Sequence, residues 1–451
     1  MVTGDNEMPD CSTKGPSSVS RVASGSFTLV PKSFMSYVSK VLNKSSYNMA
    51  KQLEASVLSM FSLISTRHAT KTEHYLATSN TGVGPMALPQ PRAGLMDIPF
   101  YEGGKSSLKG HGRVIKLSSN ESALGPSPAA LIAYAGVASN LVRYPDGNAT
   151  ALKDAISDVH ALNPDQLICG AGSDEILCLV CRAYAGPGDE VVHTAHGFLM
   201  YGIYARSVGA TPVAVAENNL TADVDAILAA VTDATKIVFV ANPNNPTGTV
   251  LSGAELVRLR ESLREDIVLV VDSAYAEFMG GSCYDGGQAL VESTPNTVMT
   301  RTFSKIYGLA SLRVGWAFAP RSIIETLERL RSPFNVNGAA LAAASAAMRD
   351  VAHTRSAFDH NLRWMGAALQ RFRSLDLDVV GEAGNFVLPK FPNVPGKTAA
   401  DADAFLQSKG IIVRRVANYG LPDHLRITLG EDDEMEAVLT AVTKFMGGDD
   451  G

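Results

Sequence analysis

Long apolar runs are missing from this 451-residue chain: no window offers the ~18 or more uninterrupted apolar residues that a membrane-spanning helix requires. Cysteine is scarce as well. Five are scattered through the chain, at Cys11, Cys169, Cys178, Cys181 and Cys283. An odd number without regular spacing is no disulfide framework and points to a reducing compartment. The C-x-x-C of Cys178 and Cys181 lies inside E-I-L-C-L-V-C-R-A-Y, a helical apolar pattern, with no second cysteine or histidine pair at zinc spacing. Core packing, not a metal or redox role, is expected there. Excess positive charge is also lacking, since the formal net charge is −6, which speaks against nucleic acid as the main partner.

Acidic residues nearly vanish over one stretch. From Lys14 to Lys71 the basic residues Lys14, Arg21, Lys32, Lys40, Lys44, Lys51, Arg67 and Lys71 are opposed only by Glu54. Residues 1–90 are serine-rich and are expected to be either a poorly ordered tail, or a stretch lying upstream of the true start, or an organellar presequence, which their composition resembles although Asp5, Glu7 and Asp10 speak against one. An amphipathic helix or two is expected between Pro31 and Ile64. Cytoplasm is the default location, with organelle import the alternative if the head is genuine.

Beyond residue 90 the texture changes. A short strand at Val114–Ser119 precedes a helical pattern over Ala129–Leu141, and Thr150 is expected to cap a helix running to His160. Strand and helix then alternate. Candidate strands are Gln166–Cys169, Glu190–His193, Thr211–Ala216, Lys236–Ala241, Ile267–Asp272, Thr297–Arg301 and Val314–Ala319. Several are apolar on both faces, as in a mostly parallel sheet buried between helix layers. The fold class is therefore α/β: a large domain over 141–335 with a seven-stranded sheet, and a smaller α+β domain over 336–447 joined by the segment 91–140.

The chemistry-bearing residues cluster in four motifs. In T-R-T-F-S-K-I-Y-G-L-A-S-L-R-V-G-W, from Thr300 to Trp316, Lys305 stands among small and apolar residues with Arg313 eight positions on. Desolvation beside a second cation lowers a lysine's pKa and makes its amine nucleophilic. A-G-S-D-E at 171–175 follows a strand and opens a helix, a geometry that binds phosphate. Asp272 ends an apolar strand, where ligands of open α/β sheets collect, and can pair with a pyridine nitrogen. Tyr275 and Asn245, in D-S-A-Y and N-P-N-N-P-T-G, are placed to meet a ring hydroxyl oxygen.

Taken with L-R-I-T-L-G at 425–430, this order of motifs resembles the fold-type I aminotransferases and, among them, the histidinol-phosphate aminotransferase subgroup. The resemblance runs from about Gly94 to Gly447. It implies pyridoxal 5′-phosphate as cofactor and no metal. Lys305 matches the lysine that holds the cofactor covalently and moves the substrate's proton, Asp272 the ring-nitrogen partner, and Tyr275 with Asn245 the groups on the ring oxygen. Ser173, Asp174, Ser304 and Arg313 match the phosphate cradle, so Arg313 becomes a positioning group, and Gly172 and Thr302 are expected among the cofactor-binding residues. Phe198 stands where an aromatic ring covers the cofactor, and Tyr144 matches a tyrosine reaching the phosphate in the other subunit of a homodimer. On the substrate side, Arg426 and Arg414 match arginines that grip acidic groups, with Arg415 a competing candidate, and Tyr101 and Asn120 match residues of the N-terminal segment. The implied substrates are histidinol phosphate and 2-oxoglutarate or glutamate. Rival readings are an aromatic amino-acid aminotransferase, a phosphothreonine-type decarboxylase, and a cofactor-sensing regulator whose head binds DNA.

Overall fold

A computed structural model describes residues 89–447 apart from Glu102 and residues 281–283. The presequence-like head and the helices expected between Pro31 and Ile64 lie outside the described residues, as do Cys11 and Cys283. Among the described residues no helix is long and apolar enough to cross a membrane.

The first strand, β1 (Ile115–Leu117), is followed by the strands of a seven-stranded sheet: β2 (Leu167–Gly170), β3 (Glu190–Thr194), β4 (Thr211–Val215), β5 (Thr235–Ala241), β6 (Val268–Asp272), β7 (Thr297–Thr302) and β8 (Gly315–Phe318). Their spatial order is β2-β8-β7-β6-β5-β3-β4. Only β8 runs against its neighbours, antiparallel to both β2 and β7. The β3–β4, β3–β5, β5–β6 and β6–β7 pairs are parallel. The apolar composition explains the depth: β2, β6, β7 and β8 are buried at every position, because helices cover both faces of the sheet.

Further on come β9 (Asp378–Val379), β10 (Phe386–Val387), β11 (Pro389–Lys390), β12 (Ile411–Arg415) and β13 (Leu425–Thr428). A four-stranded sheet is ordered β1-β12-β13-β10, so the early strand β1 does join the late ones, parallel to β12. This sheet packs its apolar face on the long helix Val351–Ser374 and the last helix, Asp432–Met446, through Leu117, Phe372, Ile427 and Val438.

One cap differs from expectation. Thr150 is the first residue of its helix, not the cap; Ala149 precedes it in the left-handed region. Asp146 serves the free amides instead, its carboxylate accepting from Asn148 N at 2.9 Å and Thr150 N at 2.7 Å. A carboxylate at a helix start satisfies unpaired amides and the positive end together. Of the C-x-x-C pair, Cys181 is fully buried in the core beneath the sheet, and burial pushes its thiol up to about 12.

Candidate functional site

The carboxyl ends of the parallel strands converge, and a cavity of about 230 Å³ opens there. Five strands hand residues to it: Ser173 and Asp174 follow β2, Phe198 follows β3, Asn245 follows β5, Asp272 ends β6, and Thr302 ends β7 with Ser304 and Lys305 just beyond. This is where open α/β sheets place ligands, because the loops leaving the strand ends diverge around the helices. The small sheet closes the cavity from the far side with Arg414 and Arg426, and the N-terminal segment adds Tyr101 and Asn120.

At one end lies an anion cradle. Ser173 and Asp174 open the helix Ser173–Tyr184, whose first amides lack helical partners. Gly172, at φ +85°, does not line the cavity but lets it form, since a Cβ there would collide with the Arg313 guanidinium. Gly315 has a comparable role, because a side chain would strike the Ser173 amide. Arg313 donates to Ser304 Oγ at 3.1 Å and to Asp174 Oδ2 at 3.1 Å, which aims it at the helix start.

At the other end Asp272 is the one carboxylate among β6's five buried residues. Tyr201 donates to its Oδ2 at 2.7 Å and Thr300 to its Oδ1 at 3.0 Å. Burial outweighs both donors and pushes the carboxyl up to about 6. A buried carboxylate held short of charge compensation is a receptor for a cationic or protonatable group. Tyr201 was not singled out from the sequence; its place three residues after Phe198 on the helix Met200–Val208 puts both rings on one side, and their edge-to-face contact is 5.8 Å.

Between the two ends stands Lys305. Its amine donates to the Ser119 carbonyl at 3.2 Å and lies 5.6 Å from the centre of the Tyr275 ring. Its pKa falls to about 7, first through burial and next through the charge of Arg426. The neighbouring cation that matters is thus Arg426, from a distant strand; Arg313, nearest in sequence, contributes least among the named causes. Near neutrality a large fraction of the amine is free to attack a carbonyl.

The other residues divide as follows. Tyr275 is buried and its hydroxyl accepts from Asn120 Nδ2 at 2.9 Å, so Asn120 holds Tyr275 while itself anchored to Thr428. Asn245 lines the cavity, with its carbonyl oxygen taken by Arg426. Arg414 and Arg426 are direct cross-strand partners on β12 and β13 and therefore share one face. Arg415, one step on, turns to the other face, and only Arg414 of the two lines the cavity. Tyr144 is absent from its own chain's cavity; it is 82% exposed and stacks on Phe334 at 4.8 Å. Tyr419, which lines the cavity and is 4% exposed, carries no sequence motif that distinguishes it.

These features suit an elongated group that is anionic at one end, protonatable at the other, and bears a carbonyl between them. The cradle answers the anion, Asp272 the proton, and Lys305 the carbonyl.

Known proteins resemble this chain over most of its length. Residues 112–442 match the family described as aminotransferase class I and II. A histidinol-phosphate aminotransferase of Rhodospirillum rubrum is 57% identical over 365 residues, covering 80% of this chain and 98% of that protein. Its counterpart in Paramagnetospirillum magneticum is 52% identical over 362 residues, covering 80% and 100%. Among solved structures, histidinol-phosphate aminotransferase from Sinorhizobium meliloti in complex with pyridoxal-5′-phosphate is similar with a TM-score of 0.74 at 26% identity, over 80% of this chain and 99% of that one.

Proposed function

The chain belongs to the class I and II aminotransferases, and from that premise we propose that it exchanges an amino group between L-histidinol phosphate and 2-oxoglutarate, with pyridoxal 5′-phosphate as cofactor, in L-histidine biosynthesis. The products are imidazole acetol phosphate and glutamate. The observation that carries this reading is the convergence on one cavity of a lysine with a lowered pKa, a buried carboxylate, and two arginines paired across strands.

When bound, the cofactor supplies a carbonyl for the amino group and an aromatic system that accepts the electron pair released at the substrate's Cα. The protein's residues do the rest. Lys305 would hold the cofactor, and its amine is the acid and base that would move the substrate's Cα proton. Asp272, itself positioned by Tyr201 and Thr300, holds a proton on the ring nitrogen. Ser173, Asp174, Ser304 and Arg313 fix the phosphate, and Tyr275 with Asn245 faces the ring oxygen. Phe198 covers the ring. Arg414 and Arg426 grip the acid group of each substrate in turn, the guanidinium plane matching a carboxylate or phosphate edge.

Steady-state rates separate this reading from the aromatic aminotransferase reading. The expected result is a kcat/KM for histidinol phosphate well above those for phenylalanine and tyrosine; a preference for the aromatic amino acids sinks the assignment.

The site is completed in a homodimer. Tyr144 lies outside its own cavity beside exposed apolar side chains, Leu141 at 75% and Val142 at 87% exposure, which supports a role for this face against a second copy. A Tyr144→Ala subunit and a Lys305→Ala subunit, each impaired alone, are expected to regain activity when co-expressed, because one of the two shared sites is then intact. No recovery above Tyr144→Ala alone would place Tyr144 in its own chain's chemistry.

A further inference from the structure

Tyr419 lines the cavity and has no role in the reading above. Tyr419 ends the 3-10 turn Ala417–Tyr419, on the loop joining the two strands that carry Arg414 and Arg426. Its ring is packed with Leu388, Val416 and Leu421, so the side chain is fixed before any ligand arrives. Among the described residues its hydroxyl makes no hydrogen bond. Burial pushes it up to about 12, so it stays a neutral donor at working pH, and the charges acting on it include both Arg426 and Arg414. Tyr101, the other tyrosine on this side, is 50% exposed and lacks that fixed setting.

The two acid groups handled here differ in shape. A carboxylate offers two oxygens in one plane, and a single guanidinium fork saturates them. A phosphate monoester offers three terminal oxygens in a tetrahedral arrangement, so a planar clamp leaves one out of plane. A pre-positioned neutral hydroxyl beside the clamp serves that oxygen and adds nothing essential to a carboxylate. Resting on the function proposed above, we infer that Tyr419 is a substrate-binding residue that selects for the phosphate-bearing substrate, by donating to the phosphate oxygen that the Arg414–Arg426 pair does not satisfy.

The two half-reactions of the loaded enzyme test this, each followed in single turnover by the cofactor's absorbance in wild type and Tyr419→Phe. Phenylalanine keeps the ring packing and removes only the hydroxyl. The expected result is a drop of about 10- to 100-fold in kcat/KM for histidinol phosphate, the range for losing one hydrogen bond to a charged group. Glutamate and phosphate-free histidinol should change by less than about threefold, since neither presents the oxygen that this donor serves. An equal loss on all three substrates, no loss on histidinol phosphate, or a larger loss on glutamate overturns the inference. Failure of the underlying function is seen separately, as a wild-type enzyme that does not turn over histidinol phosphate at all.

Discussion

Lys305→Ala is expected to lower turnover by at least about 10⁴-fold and to remove the absorbance of covalently held cofactor, because in the proposed reaction Lys305 is both the attachment point and the acid–base group. Lys105→Ala is the control. That lysine is exposed and donates to Gln407 Oε1 at 2.6 Å, away from the cavity, and its loss should leave both properties intact. Borohydride reduction followed by peptide mapping gives the sharpest readout: a Lys305→Ala protein that still yields a covalent adduct would refute the assignment. The wild type adds a pH arm. Below about 7 the amine is protonated and cannot attack; above it the free amine predominates. Covalent uptake of pyridoxal phosphate by the cofactor-free protein should therefore accelerate as pH rises through 7 and then level off, and a rate that falls over that interval contradicts the lowered pKa.

Asp272→Asn is expected to act in opposite directions on activity and on stability. A neutral amide cannot hold the proton on the ring nitrogen, and losing a pre-positioned electrostatic partner of this kind costs about 10²- to 10³-fold in kcat. In the cofactor-free protein the same carboxylate is a liability. Its pKa, ordinarily near 4, stands at about 6 because burial disfavours the charge. The folded state thus binds this proton more tightly than the unfolded state, and folding is penalised as pH rises from 4 through 6. The penalty is complete above about 6 and amounts to roughly 3 kcal/mol. Denaturant unfolding of the two cofactor-free proteins should show Asp272→Asn the more stable at pH 8, by up to about that amount, and the gap should close toward pH 4. A wild type more stable than the variant at pH 8 would mean that the donors Tyr201 and Thr300 compensate the charge fully. Excess cofactor should reverse the order, since only the carboxylate gains a partner.

The two arms share one physical cause. In the proposed role, a carboxylate buried in this way is expected to destabilise the cofactor-free protein and to bind the ring nitrogen for the same reason, so that stability is given up at the point where function needs charge.

Much of this is legible in the sequence. The seven strands of the large sheet follow from short runs, several of them apolar on both faces, and Lys305, Asp272 and the Ser173–Asp174 turn follow from residue type at a strand end or helix start. Such features are local: a few consecutive residues fix the backbone's conformation and the chemistry offered there. What the sequence could not decide is which distant groups meet. The choice of Arg414 over Arg415 is set by the register that places Arg414 opposite Arg426, because adjacent strand residues face opposite ways. The cation that lowers the Lys305 pKa is Arg426, brought over by the small sheet, and not the nearby Arg313. Tyr201 reaches Asp272, and Tyr419 lines the same cavity as the arginine pair, only because two sheets and a loop close on one cavity. Sequence specified the chemical parts. Tertiary packing settled their partners, since distance, dielectric and register are properties of the assembled fold.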